Sequence, residues 1–165
     1  MHCSQGILKG MMINLEIIEA NYAKATHGIK GQWLDDVSFE WYNYVVGLPL
    51  ELKVTYLVVV FHNQIMNGGF HQYFVNGYGQ FSEETISALN EIGAKTKGQL
   101  LSKALKIVNP DGLPKEDFII NLLNKKIPSL FLNDDLVEPL DELDIAYYAE
   151  ENEDIVQLLG SFLRK

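Results

Sequence analysis

Cysteine is almost missing from this chain of 165 residues, with Cys3 the only one. A single thiol supports neither a disulfide framework nor a thiolate zinc site, and the scarcity agrees with a reducing cytosol. Long apolar runs are missing as well. The longest, Val54 to Phe61, includes Thr55 and falls far short of the roughly 20 residues that a membrane span needs. No secretory pattern is visible, because Lys9 interrupts the weakly apolar start and no small-residue cleavage pattern follows an apolar run. The expectation is a soluble, cytoplasmic protein. The chain also lacks a Gly-Xaa-Ser-Xaa-Gly elbow, a phosphate-loop glycine pattern and a His-Glu-Xaa-Xaa-His zinc helix.

Positive charge is scarce overall and unevenly placed. The formal net charge is −9. Residues 95–130 carry seven lysines against three acids, whereas residues 131–165 carry ten acids against Arg164 and Lys165. A field of that sign at one end repels nucleic acid and membrane surfaces and attracts basic proteins. The bland alternative is that these acids simply solvate helix faces.

Apolar residues recur at helical spacing almost throughout, and no hairpin signal is present. Leu15, Ile18, Tyr22 and Ala25 form one stripe, and Leu34, Val37, Trp41 and Val45 another. From Pro49 to Asn67 the chain is apolar nearly all round, which suits a buried helix, although its valines would also suit a strand. Ser82 with Glu83 and Glu84 opens a helix that Gly93 closes. Thr96 and Gln99 read as a capping box, Pro114 as a first helical residue, and residues 127–138 as irregular. Pro139 starts the next helix, with Leu140, Leu143 and Tyr147 inward, and Asn152 caps the last. The length fits one domain with a substantial core. The expected architecture is a compact all-α bundle of about seven or eight helices over residues 13–165, with residues 1–12 as a flexible extension.

The densest motif runs from Asn67 through Gly68, Gly69, Phe70, His71, Gln72, Tyr73 and Phe74 to Asn76. Two adjacent glycines let one helix end and another begin with almost no loop. Phe70, Tyr73 and Phe74 then form a buried stripe, and Gln72 and Asn76, four apart, share a face. Asn67, Gln72 and Asn76 could line a small polar pocket, but satisfying backbone groups freed by the break is the expected role. His62 and His71 flank the break, and a metal there would need a third ligand such as Asp144. A hydrogen-bonded structural role is expected for each histidine, and neither a metal nor a cofactor is expected.

This motif, followed by Ile92-Gly93-Ala94 and by Leu143-Asp144 with Tyr147-Tyr148, resembles the DNA-mimic-protein (C-terminal domain) family, a bacterial domain of otherwise unknown function. The resemblance covers about residues 50–163. It implies a compact helical fold and an acidic dimer that occupies the DNA-binding surface of basic proteins. The chain departs from the family pattern at Gln64, where Glu is usual, and at Gly77, where Ser is usual. Within the motif Asn67, Gly68, Gly69, Phe70, Gln72, Tyr73, Phe74, Asn76, Gly93, Asp144 and Tyr147 are expected to be mainly structural.

The leading expectation is therefore a non-catalytic protein that binds a basic, DNA-binding protein through Asp134, Asp135, Glu138, Asp141, Glu142, Glu150 and Glu151. It would touch neither nucleic acid nor membrane directly. Duplex DNA carries one charge per about 1.7 Å of axis, so ten acids imitate at most about 17 Å, and mimicry of a longer site calls for a homodimer or for Glu83, Glu84 and Glu91 on the same face. Two alternatives stay open. One is a small enzyme or ligand-binding module centred on Asn67, His71, Gln72 and Asp144, and the other is an immunity-type inhibitor of a basic enzyme.

Overall fold

The structure is a computed structural model that describes the backbone of residues 2–165 and the side chains of residues 3–165. It is all-helical. Among the described residues the α-helical segments are α1 (His2–Thr26), α2 (Glu40–Val46), α3 (Leu50–Val75), α4 (Ser82–Glu91), α5 (Lys95–Val108), α6 (Lys115–Leu123), α7 (Pro128–Phe131), α8 (Val137–Ala149) and α9 (Ile155–Leu163). Two short 3-10 turns, Gly31–Leu34 and Tyr78–Phe81, complete the set.

Helix α3 is the axis of the molecule, and the valine-rich run inside it is helical. Pro49 sits immediately before its first turn, where the missing N–H costs nothing, and Glu51 faces the positive end of the helix dipole. Val54, Leu57, Val58, Phe61 and Ile65 are buried on several sides. That burial, about 1.5 to 3 kcal/mol per large side chain, outweighs the small helix penalty of β-branching. Helices α1, α4, α8 and α9 all pack against α3. One continuous apolar core runs from Ile18 on α1 to Leu159 on α9.

Several boundaries differ from the sequence reading. Leu34 and Val37 are exposed and lie before α2, which starts only at Glu40. Trp33 is drawn instead onto the ring of Tyr44, at 5.7 Å between centroids, and the intervening bend takes Leu34 and Val37 away from the core. Leu15 is likewise exposed, because Asn14 is the residue that α1 turns toward α9 at that level. Residues 127–138 include the single turn α7 and the start of α8. Pro139 therefore lies in the first turn of α8, where its lack of an N–H is tolerated. Pro114 precedes α6 by one position. The last helix is capped by Asp154, whose Oδ1 accepts from the N–H of Gln157 at 3.1 Å, and not by Asn152.

Residues 3–12 belong to helix α1 but run past the core. Every one of them except Gly10 is exposed, Ile7 at 70%. No helix among the described residues is long and apolar enough to cross a membrane.

Candidate functional site

The glycine pair does break α3. Gly69 has φ 77° and ψ −173°, a conformation that only glycine adopts readily, and the helix restarts at Phe70. The restart leaves an orphan N–H on Phe70, which donates to Asp144 Oδ1 at 2.8 Å. A side chain at Gly69 would collide with that same carboxylate. Burial raises the Asp144 pKa above the ordinary carboxylate value, and neighbouring Asp141 adds to the shift. The Phe70 hydrogen bond and His71 oppose it. Asp144 is thus a helix cap supplied by α8 to α3.

The amides of the motif bind one another. Gln64 Oε1 accepts from Gln72 Nε2 at 3.0 Å and from Asn76 Nδ2 at 2.9 Å, while Gln72 Oε1 accepts from Asn67 Nδ2 at 3.3 Å. Gln64 is the hub of this network. Beneath the break lies ring packing. Phe61 meets Phe70, Tyr73 and Tyr147 with centroids 6.0, 5.3 and 5.7 Å apart, the latter two edge to face. Buried Phe74 extends the same stripe.

His62 turns to Tyr147, whose hydroxyl lies 2.7 Å from its Nδ1. Burial lowers the His62 pKa below 6.5, Lys97 lowers it further, and Asp154 opposes both. Among the described residues no group of three or more His, Cys, Asp or Glu is placed to hold a metal ion. A cleft of about 400 Å³ reaches Gln64 and Asn76 from the side of Trp41 and Tyr78. Asn67, His71, Gln72 and Asp144 do not line it. The module centred on those four residues therefore has ring packing below it and capping chemistry within it.

The capping box expected at Thr96 and Gln99 is overturned. Helix α5 begins one residue earlier, at Lys95, and the cap comes from across the fold. Glu153 accepts from the N–H of Thr96 at 2.7 Å through Oε2 and from the N–H of Lys97 at 2.8 Å through Oε1. A carboxylate that accepts two N–H groups at the positive end of a helix is the stronger arrangement, because charge-assisted bonds are roughly twice as strong as neutral ones. Lys97 is only 3% exposed; its ammonium donates to the Glu153 carbonyl at 2.9 Å and lies 4.8 Å over the Tyr147 ring. Burial lowers the Lys97 pKa, against the pull of Glu153, Glu150 and Asp154. Nothing local in the sequence marks Glu153 as a cap, since its partners stand more than fifty positions away.

The acidic tail thus divides by role. Asp144, Glu153 and Asp154 cap helices. Asp134, Asp135, Glu138, Asp141, Glu142 and Glu151 are exposed, whereas Glu150 is half-buried and accepts from the N–H of Asn152 at 2.7 Å. Glu138, Asp141 and Glu142 stand at i, i+3 and i+4 on α8 and share one helix face. Exposed apolar residues adjoin them, with Leu132 80% and Ile145 68% exposed. Among the described residues the ion pairs join Lys115 to Glu83 and Glu84, and none involves these seven acids.

The DMP19-like protein family matches residues 47–165. No curated protein and no solved structure matches the chain. This corrects the resemblance drawn from the motif, which named a C-terminal-domain family of unknown function over a slightly shorter stretch. The match begins at Gly47, where α2 ends, and covers the glycine break, both long-range caps and the acidic tail. It spans well over half of the 165 residues, and the chain belongs to the DMP19-like protein family.

Proposed function

We propose that this protein is non-catalytic and binds a basic protein partner through the carboxylates that its own fold leaves free, as a mimic of DNA on that partner's nucleic-acid surface. The binding face comprises Asp134, Asp135, Glu138, Asp141 and Glu142, with Glu150 and Glu151 at its far end. The observation that carries the reading is the division of the tail, in which capping acids are engaged by backbone N–H groups and the remaining acids stand outside any described ion pair. The family match is compatible with it.

Charge density sets the scale of the mimicry. Six exposed acids and the half-buried Glu150, at one charge per about 1.7 Å of duplex axis, correspond to about 12 Å. One copy covers a short stretch of a DNA-binding surface, and a two-half-site partner needs two copies. In this reading the protein acts in the bacterial cytoplasm, touches neither DNA nor membrane, and uses no cofactor.

The test is capture of partners from native lysate by the wild type and by Asp134→Asn/Asp135→Asn/Glu138→Gln/Glu142→Gln, with circular dichroism on both. The four-fold variant loses capture and keeps its helicity. Competing duplex DNA and raised salt release the partner from the wild type, as exposed ionic contacts require. Capture that survives the four substitutions rejects the face. Capture that duplex DNA leaves intact rejects mimicry in favour of inhibition of a basic enzyme at some other surface.

A further inference from the structure

The acidic side of α8 is also apolar. Ile145 is 68% exposed and Tyr148 49% exposed, and both follow Glu138 and Asp141 at helical spacing, so the four share one outward stripe. Single exposed apolar residues are common on soluble proteins and signify little. These two lead into a cavity. Tyr148 lines a cleft of about 240 Å³ with Met66, itself 55% exposed, Val156, and buried Ile155 and Tyr147. The Tyr148 hydroxyl donates to the Ile65 carbonyl at 2.7 Å, which fixes the ring as a preformed wall.

The polar groups around the cleft already have partners inside the fold. Glu153 caps α5, Asp154 caps α9, and Glu150 accepts from the N–H of Asn152. Lys97 is bonded to the Glu153 carbonyl and His62 to Tyr147. What the cleft has left to offer is mainly apolar surface. It is smaller than the roughly 300 to 1,000 Å³ of small-molecule pockets, and so suits one side chain. The acids along the same stripe, Glu138 and Asp141 with neighbouring Glu142, take part in no described ion pair, so the segment that brings this side chain must be cationic. From Glu138 to Tyr148 the stripe runs about 15 Å, or about three helical turns. A second helix laid along α8 keeps the same rise and presents apolar and cationic residues at i, i+3, i+4 and i+7.

The structure assigns this face to a basic amphipathic helix of a protein partner, with one apolar side chain seated between Met66 and Tyr148, another against Ile145, and its cations opposite Glu138, Asp141 and Glu142. The assignment deepens, and rests on, the reading of the tail acids as a face for a basic protein. Mimicry of phosphates supplies charge alone, whereas the cleft adds an apolar anchor.

The experiment uses two synthetic helical peptides of equal charge and about 14 residues, four turns each. One has leucines on one face and lysines on the other, and its counterpart has alanines in place of the leucines. Their affinities for the full chain are measured by fluorescence anisotropy, and their site by methyl-resolved NMR. The leucine peptide binds at least about tenfold more tightly than the alanine peptide and shifts the methyl groups of Ile145, Met66 and Val156. Ile145→Asp adds an acid to the face, yet it weakens the leucine peptide about fivefold and leaves the alanine peptide bound no more weakly than before. Met66→Asp does the same from the cleft. Both positions are exposed, and circular dichroism checks that the variants stay helical. A face that works by charge alone gives the opposite sign, with both variants binding the leucine peptide more tightly. That result, equal affinities of the two peptides, or shifts confined to other methyl groups each overturns the anchor. Shifts at the same methyl groups on concentrating the chain without peptide overturn it in favour of a second copy. Glu138→Gln/Glu142→Gln separates the two readings. If it weakens both peptides while Ile145→Asp tightens both, the anchor alone fails, and if it leaves both unchanged, the acidic face fails with it.

Discussion

Glu153 and Lys97 hold each other through both backbone and side chain. The Lys97 N–H donates to the Glu153 carboxylate at 2.8 Å, and the Lys97 ammonium donates to the Glu153 carbonyl at 2.9 Å. This reciprocal pair fastens the segment between α8 and α9 to the start of α5, and the backbone N–H of Thr96 makes it a three-bond joint. The free end of the acidic tail is thereby held on a fixed scaffold, a precondition for presenting carboxylates in a defined pattern.

The joint makes a direct prediction about Thr96. The side chain of an N-cap normally contributes about 1 kcal/mol, but here Glu153 supplies the cap. Glu153→Ala lowers the unfolding free energy by about 1 to 2 kcal/mol, Glu153→Gln by less because one acceptor remains, and Thr96→Ala changes it by less than about 0.5 kcal/mol. Urea midpoints at constant m-value measure all three. A Thr96→Ala loss as large as that of Glu153→Ala would restore the local capping box.

Gly69 and Asp144 form the second long-range cap and answer differently to mutation. Gly69→Ala forces a side chain into a glycine-only conformation and against Asp144, at a cost of about 2 kcal/mol or more. Asp144→Asn keeps an acceptor for the Phe70 N–H and is nearly neutral at pH 7, whereas Asp144→Ala loses the cap and about 1 kcal/mol. The raised Asp144 pKa means that the folded state binds a proton more readily than the unfolded state does. Its contribution is therefore fully present below the unfolded value and is lost as pH rises through the folded one. Acid titration of stability shows the wild type gaining on Asp144→Asn as pH falls through the carboxylate range.

His62 has the opposite sign. Its pKa is lowered from 6.5, so the fold prefers the neutral ring beside Tyr147 and Lys97. The stabilisation is present above pH 6.5 and is lost as pH falls through the folded value. Denaturation midpoints between pH 8 and pH 5 show a loss in the wild type that His62→Gln lacks, and an identical profile in the two proteins would count against the assignment.

What can be read from one sequence follows the range of the interactions. The glycine break, the Phe70, Tyr73 and Phe74 stripe and the shared face of Gln72 and Asn76 are legible because neighbours within four positions decide them. The caps on α5 and on the second part of α3 are not, because Glu153 and Asp144 reach their N–H partners from 56 and 74 positions away. The same limit explains why the sequence marks Asp144 as structural without its partner and gives Glu153 no role. Only the folded chain separates carboxylates that backbone N–H groups already hold from those that face outward.

That separation predicts that stability and partner capture respond to different tail acids. Glu142 stands four residues from Glu138 and next to Asp141 on one exposed face of α8, and like charges at that spacing destabilise a helix by about 0.2 to 0.5 kcal/mol. Glu142→Gln therefore raises the unfolding free energy by a few tenths of a kcal/mol while it weakens capture of a basic partner. Glu153→Gln does the reverse, losing stability and retaining capture under conditions where the protein stays folded, because its carboxylate is occupied by Thr96 and Lys97. A protein that merely uses the tail for solubility would show no such crossing. Denaturation midpoints set beside capture yields for the two single variants decide the matter, and a Glu142→Gln protein that loses both properties together would dissolve the distinction between free and capping acids.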